Sequence, residues 1–155
     1  SLIRNASPLS LFVFSLDGQR YALPLQQVGS VTQAAAVTRV GQLPPALLGL
    51  LNVHGSLLPV LDSRYLVDSP SRPVGVDDLF LLLHVADKGW VMPADAVHQV
   101  LDLPPEALCY DSPLLSHSGC WLGWFEQDGH AVLILDLEQT LRRYALLTTD
   151  GLHHG

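Results

Sequence analysis

Short apolar runs separated by brief polar interruptions make up most of this chain, and the spacing of the interruptions predicts strands joined by tight turns. LFVFSL (11–16) and LFLLLHV (79–85) read as strands. Asp17-Gly18 follows the first and Asp87-Lys88-Gly89 the second. An Asp-Gly pair between apolar runs marks a hairpin. The returning strands are QRYALPL and GWVMPA, whose Pro24 and Pro93 belong at strand ends or edges because proline donates no backbone hydrogen bond. VGSVTQ and VHQVLDLP space valines by three, which suits a short helical turn leading into a strand. LLGLLNVHGSLLPVLD (47–62) is apolar throughout except for a polar tip, and reads as a hairpin turning at 52–55, with Gly55 supplying a positive φ.

That grammar occurs twice. YALPLQQVGSV (21–31) returns as WVMPADAVHQV (90–100), and 47–62 returns without a gap as WLGWFEQDGHAVLILD (121–136), turning at 126–129 on Gly129. Tyr21 aligns with Trp90, Val28 with Val97, Val31 with Val100, Gly49 with Gly123 and Asp62 with Asp136. Two blocks in the same order at similar spacing predict related halves, near 11–70 and 79–145. Leu137, Leu141 and Tyr144 recur at helical spacing, so 135–147 should hold a C-terminal helix, with 62–67 as a shorter copy. Asp62 and Asp136 precede these runs and read as caps. The Pro-, Gly- and Ser-containing stretch 68–78 is expected to be a mobile linker, and residues 1–10 and 148–155 are expected to be tails. The fold class is therefore all-β, of the barrel or sandwich kind, with a C-terminal α-helix.

Composition narrows the function. The chain has 155 residues, 48% hydrophobic and 15% charged, so some apolar surplus is expected on contact surfaces. Of Leu47, Leu48, Leu50, Leu51, Leu57 and Leu58, strand alternation would turn half outward. The net charge is −7, and no basic stripe suits nucleic acid or an anionic membrane. No apolar run is long enough for a membrane span. The start, SLIRNASPLS, does not read as a signal peptide. Two cysteines, Cys109 and Cys120, do not make a disulfide framework and read as reduced thiols of a cytoplasmic protein.

Candidate chemistry is sparse. His117 and Cys120 are three apart but lack further ligands, and His153-His154 lie in the tail, so no metal is expected. His84 reads as a hydrogen-bonded core or edge residue, and His98 and His130 as exposed turn or helix positions. No nucleophile elbow, phosphate loop or paired-carboxylate cleft is legible, so neither catalysis nor a cofactor is expected. Binding to other proteins remains, with a small-ligand barrel as the competing class.

VTRVGQLPPALLGLLNVHGSLLPVLD (37–62) resembles the ordered pattern of a CheW-like domain, a V-T-x-[IV] start, a proline, then G-[VLI]-x-N-[LV]-R-G and [VIL]-P-[VI]-[VIL]-D. Ala94-Asp95-Ala96-Val97-His98-Gln99-Val100 partly matches the family's second-half pattern V-D-x-V-x-x-V. The resemblance runs from about Leu11 to Leu147. It implies two five-stranded SH3-like β-barrels packed on a shared core. It also implies a non-catalytic, monomeric adaptor that joins the cytoplasmic tips of methyl-accepting chemoreceptors to the regulatory domain of a CheA-type histidine kinase, in arrays at the inner membrane. Receptor contacts would fall on Asn52, Val53, His54, Gly55 and Val31, and kinase contacts on Val28, Ser30 and Leu57. The chain departs from the family at two of these positions. His54 stands where the family carries arginine, and Ser30 where an acidic residue is frequent. Arginine offers a permanently charged fork of five donors, histidine at most two. Such changes fit an accessory adaptor of a pathway other than swimming chemotaxis. An alternative is the CheW-like regulatory domain of a larger CheA-type kinase, or the coupling part of a protein that also has a receiver.

Overall fold

A computed structural model describes residues 7–111 and 120–148. It contains ten strands: β1 (Leu9–Leu16), β2 (Gln19–Pro24), β3 (Val28–Gln33), β4 (Leu47–Val53), β5 (Ser56–Leu61), β6 (Leu79–Val85), β7 (Lys88–Ala94), β8 (Ala96–Leu103), β9 (Trp121–Gln127) and β10 (His130–Leu135). Two helices, α1 (Ser63–Leu66) and α2 (Leu137–Arg143), follow β5 and β10. Both are capped by the expected aspartates. Asp62 Oδ1 accepts the Tyr65 N–H and Asp136 Oδ1 the Gln139 N–H, each at 3.2 Å.

Four hairpins turn on two residues of positive φ, the geometry that matches strand twist. They are Asp17-Gly18 (51°, 80°), His54-Gly55 (52°, 88°), Ala86-Asp87 (53°, 61°) and Asp128-Gly129 (51°, 78°). The third corrects the expected Asp87-Lys88-Gly89 turn. Gly89 lies inside β7, where an added Cβ would meet Leu58 Cδ2 at 2.9 Å, so it serves close packing instead. The valines spaced by three, expected on short helical turns, are strand residues of β3 and β8. A single 3-10 turn, Leu25–Gln27, precedes β3, whereas β8 follows β7 after one bent residue, Asp95. Pro24 ends β2 and Pro93 is penultimate in β7. The first strand begins at Leu9, inside the segment expected as a tail, because Leu9 pairs with Leu103.

The strands form two five-stranded sheets, ordered β8-β1-β2-β10-β9 and β3-β6-β7-β5-β4. The sheets do not coincide with the sequence halves. The hairpin β1-β2 joins three strands of the second half, and its counterpart β6-β7 joins three of the first. The duplication is thus built with its leading hairpins exchanged. In each sheet the chain after one end strand returns to the other end, at Thr38↔Leu50 and at Cys109↔Trp124, which draws the sheet into a barrel.

The repeat extends to the bulges. Leu48 and Leu122 are skipped in the β4-β5 and β9-β10 ladders, and Gly29 and His98 in the pairings of β3 and β8. Gly49 and Gly123, at equivalent places, let the returning segments cross. A Cβ on Gly123 would lie 2.7 Å from the Cys109 carbonyl oxygen, and one on Gly49 would lie 2.7 Å from Val37 Cγ1 and closer still to the Thr38 carbonyl oxygen.

Strand alternation sorts the apolar residues into three cores. Leu11, Val13, Ala22, Val132 and Ile134 fill the first barrel, and Leu51, Val60, Phe80 and Val91 the second. Phe14, Leu16, Leu23, Leu61, Leu81, Met92, Leu135 and Leu141 point to the other face and join the barrels. The interior strands β1 and β6, each second from an end of its sheet, are therefore buried on both faces along most of their length, which explains their largely apolar sequences. The 68–78 stretch is irregular, as expected, but is tied down. Arg72 Nη2 meets Asp78 Oδ1 at 2.8 Å and Asp95 Oδ1 at 2.5 Å, and the Gly75 N–H donates to Asp78 Oδ2 at 2.6 Å.

Candidate functional site: a hairpin tip and an exposed strand

The partner-contact candidates gather into two groups in one barrel. Asn52, Val53, His54, Gly55 and Leu57 share the β4-β5 hairpin, where Asn52 pairs across the ladder with Leu57 and Val53 with Ser56. The Asn52 side chain braces the tip, its Oδ1 accepting the Gly55 N–H at 2.8 Å. His54 is exposed and occupies the first turn position with φ of 52°, a conformation that non-glycine residues seldom take and that Asn and Asp tolerate best. Gly55 takes φ of 88°, and no heavy atom stands within 4 Å of its would-be Cβ. Its requirement is conformational rather than steric.

Val28, Ser30 and Val31 lie together on β3, at the far end of the sheet order from β4. Val28 is half-buried against the shared core, while Ser30 and Val31 are exposed. The bulge at Gly29 breaks the alternation between Val28 and Ser30. Beyond Val28 the strand is exposed throughout. Leu57, at 62% exposed, is the only outward-facing member of the leucine series. Leu47, Leu48, Leu50 and Leu58 are half-buried and Leu51 is buried, because the Gly49 bulge and the covering segments 34–37 and 74 use faces that alternation alone would leave open.

Two features escaped the sequence reading. The first is a second exposed strand. Val97 and Val100 of β8, 36% and 51% exposed, are the repeat equivalents of Val28 and Val31. The internal alignment carried that signal. The second is an ion-pair cluster between the barrels. Arg64, only 4% exposed, pairs with Asp95 and reaches Asp17 at 3.3 Å, while the Ser69 hydroxyl donates to Asp17 at 2.6 Å. Asp95 also accepts the Asp17 N–H at 2.7 Å. The Ser69 hydrogen bond, helped by Arg64, holds the Asp17 carboxyl below its ordinary range. Burial pushes the Asp78 carboxyl up, but Arg72, the Gly75 N–H and Arg64 outweigh it, and the net shift is downward. No sequence spacing announces this cluster, because its members come from turn, helix, linker and strand junction.

The histidines are dispersed. His84 is exposed on β6, not a core or edge residue, since β6 lies between β3 and β7. His98 and His130 are exposed as expected, but on strands β8 and β10. Burial lowers the His98 pKa, with the charges of Arg20 and His130 adding to it. Among the described residues no three His, Cys, Asp or Glu side chains cluster in a way that could hold a metal, and no helix is long and apolar enough to cross a membrane. His117 and the His153-His154 pair lie outside the described residues. Cys109 is exposed and Cys120 half-buried, both as free thiols.

Comparison with known proteins gives this geometry a family. Residues 10–145 match the CheW-like domain model. The chemotaxis protein CheW of Bacillus subtilis (strain 168) is 27% identical over 84 residues, which span 53% of this chain and 54% of that protein, about half its length. The crystal structure of the scaffolding protein TtCheW from Thermoanaerobacter tengcongensis shares the fold, with a TM-score of 0.77 at 21% identity over 86% of this chain and 92% of that one. With a family match across nearly the whole described chain and the paired-barrel architecture beneath it, this chain belongs to the CheW-like domain family.

Proposed function

We propose that the protein is a non-catalytic adaptor of a bacterial chemosensory array, located in the cytoplasm at the inner membrane, that couples chemoreceptor tips to the regulatory domain of a CheA-type kinase. The observation that carries this reading is the family match over residues 10–145, on a chain whose candidate contact residues include exposed positions at the β4-β5 tip and on β3. The tip would meet the receptor and β3, with Leu57, the kinase. His54 and Ser30 replace charged residues of the family pattern, which supports a partner set belonging to a pathway other than swimming chemotaxis.

Contacts with few charges to lock them, in an array that must form and rearrange, should be of modest affinity. Sedimentation of the monomeric protein with the purified kinase regulatory domain tests the reading. The expected result is micromolar association, and its absence at ~100 μM would overturn the adaptor role.

A further inference from the structure

Beside the exposed strand β3 lies an open hollow of about 410 Å³, within the ~300–1,000 Å³ range of ligand-binding clefts. One wall is the segment after β3, with Ala34, Ala35, Ala36 and Val37. The other is the strap Pro73–Val76, and Leu48 contributes from β4. Three consecutive alanines leave the space. Val40, 41% exposed, follows the first wall, and Val76, 91% exposed, stands on the second, so the apolar surface continues to the rim. Among the described residues that line it Arg39 is the only charged one; it is exposed and takes part in none of the ion pairs found among the described residues. The strap is held in place from behind by Arg72 on Asp78 and Asp95.

We infer that this hollow is a docking site for a segment of a partner protein that presents an aliphatic anchor next to a carboxylate, with the anchor among the alanines and the carboxylate on Arg39. The inference deepens the adaptor reading and rests on it. Charge selects the occupant. The chain carries −7 overall, which on average disfavours acidic segments, while an unpaired cation beside an apolar hollow gives a place where an acid next to a large aliphatic residue is favoured. Exposed Asp77 follows Val76 on the strap side, so a uniformly acidic segment is disfavoured and the carboxylate is directed to the Arg39 side.

The test uses two peptides, acetyl-Asp-Leu-Leu-amide and acetyl-Lys-Leu-Leu-amide, titrated into isotope-labelled protein and read by amide chemical shifts. The aspartyl peptide is expected to move Ala34, Ala35, Ala36 and Val74 and to bind more tightly than the lysyl peptide. Arg39→Glu should reverse that order, weakening the aspartyl peptide about fivefold, the upper limit for an exposed ion pair. Ala35→Trp should fill the hollow and abolish both responses. No shift at these amides in wild type, or equal affinity for both peptides in wild type and Arg39→Glu, would overturn the inference. The kinase regulatory domain and a receptor hairpin are titrated in parallel against wild type and Ala35→Trp. If both proteins bind wild type and Ala35→Trp equally, the docking site falls and the adaptor stands. If neither binds wild type, the adaptor reading falls, and the inference falls with it.

Discussion

His54 combines a backbone requirement with the recognition role proposed for it, and mutation can separate the two. Its φ of 52° already carries the strain of a branched-free side chain in the left-handed region, and the side chain is exposed. His54→Ala should therefore change stability by no more than about 0.5 kcal/mol, as surface changes usually do. Gly55, at φ of 88°, differs. A β-branched residue there is strained whatever the space, so Gly55→Val should cost about 1–3 kcal/mol and lower the melting temperature clearly. Thermal unfolding of the two variants checks this, and equal shifts would refute the turn geometry. His54→Arg restores the donor fork of the family pattern. It should strengthen binding to a conventional receptor hairpin by about 1 kcal/mol, the gain of one hydrogen bond, while leaving binding to the protein's own partner flat or weaker. Paired titrations against both hairpins read the difference. No change for either would place position 54 outside the interface.

At the scale of elements, the duplicated parts should respond alike. Gly49 and Gly123 sit where a returning segment crosses, and a methyl group there would press on backbone carbonyls that cannot move aside. Gly49→Ala and Gly123→Ala should each cost about 3 kcal/mol or more, well above the ~1 kcal/mol expected for Gly55→Ala, which has strain but no clash. The caps form another repeated pair. Asp62→Ala and Asp136→Ala each remove a bond to the first turn of a helix and should cost about 1 kcal/mol. Chemical denaturation of the five variants ranks these effects.

For the whole molecule, the exchanged hairpins and the ion-pair cluster between the barrels make the two sequence halves interdependent. A polypeptide of residues 7–70 lacks β6 and β7, which complete its sheet, so it should show no cooperative unfolding by circular dichroism. Mixed with a polypeptide of residues 71–155 it should regain the native transition. The cluster also predicts acid sensitivity. Asp17 and Asp78 titrate below their ordinary values when folded, so their stabilisation is present above the unfolded carboxyl pKa of ~3.9 and is lost as pH falls through the lower folded values. Denaturation midpoints measured from pH 7 to pH 3 should fall below about pH 4. Asp78→Asn should flatten that dependence and be less stable at pH 7, because Arg72 loses a carboxylate partner.

Local patterns were enough for most of the strands, though not for the starts of β3 and β8, and for three of the four hairpin turns, both helix caps and the duplication. Each depends on neighbours in sequence, such as alternation, Asp-Gly or His-Gly pairs, or an aspartate before an apolar run. The Ala86-Asp87 turn escaped because Gly89 drew the turn toward itself, although its real constraint is Leu58 from another strand. The contact candidates on the β4-β5 tip and on β3 were legible as residues through the family pattern, but their grouping, and the partial burial of most of the leucine series, were not. Only the tertiary structure decided which hairpin joins which sheet, where Arg64 and Arg72 find their carboxylates, and how an alanine triplet opens a hollow beside Arg39. The physical reason is that a repeated sequence specifies equivalent surfaces in both halves, so a hairpin can pair within its own half or with the other, and packing of the shared core selects between the two.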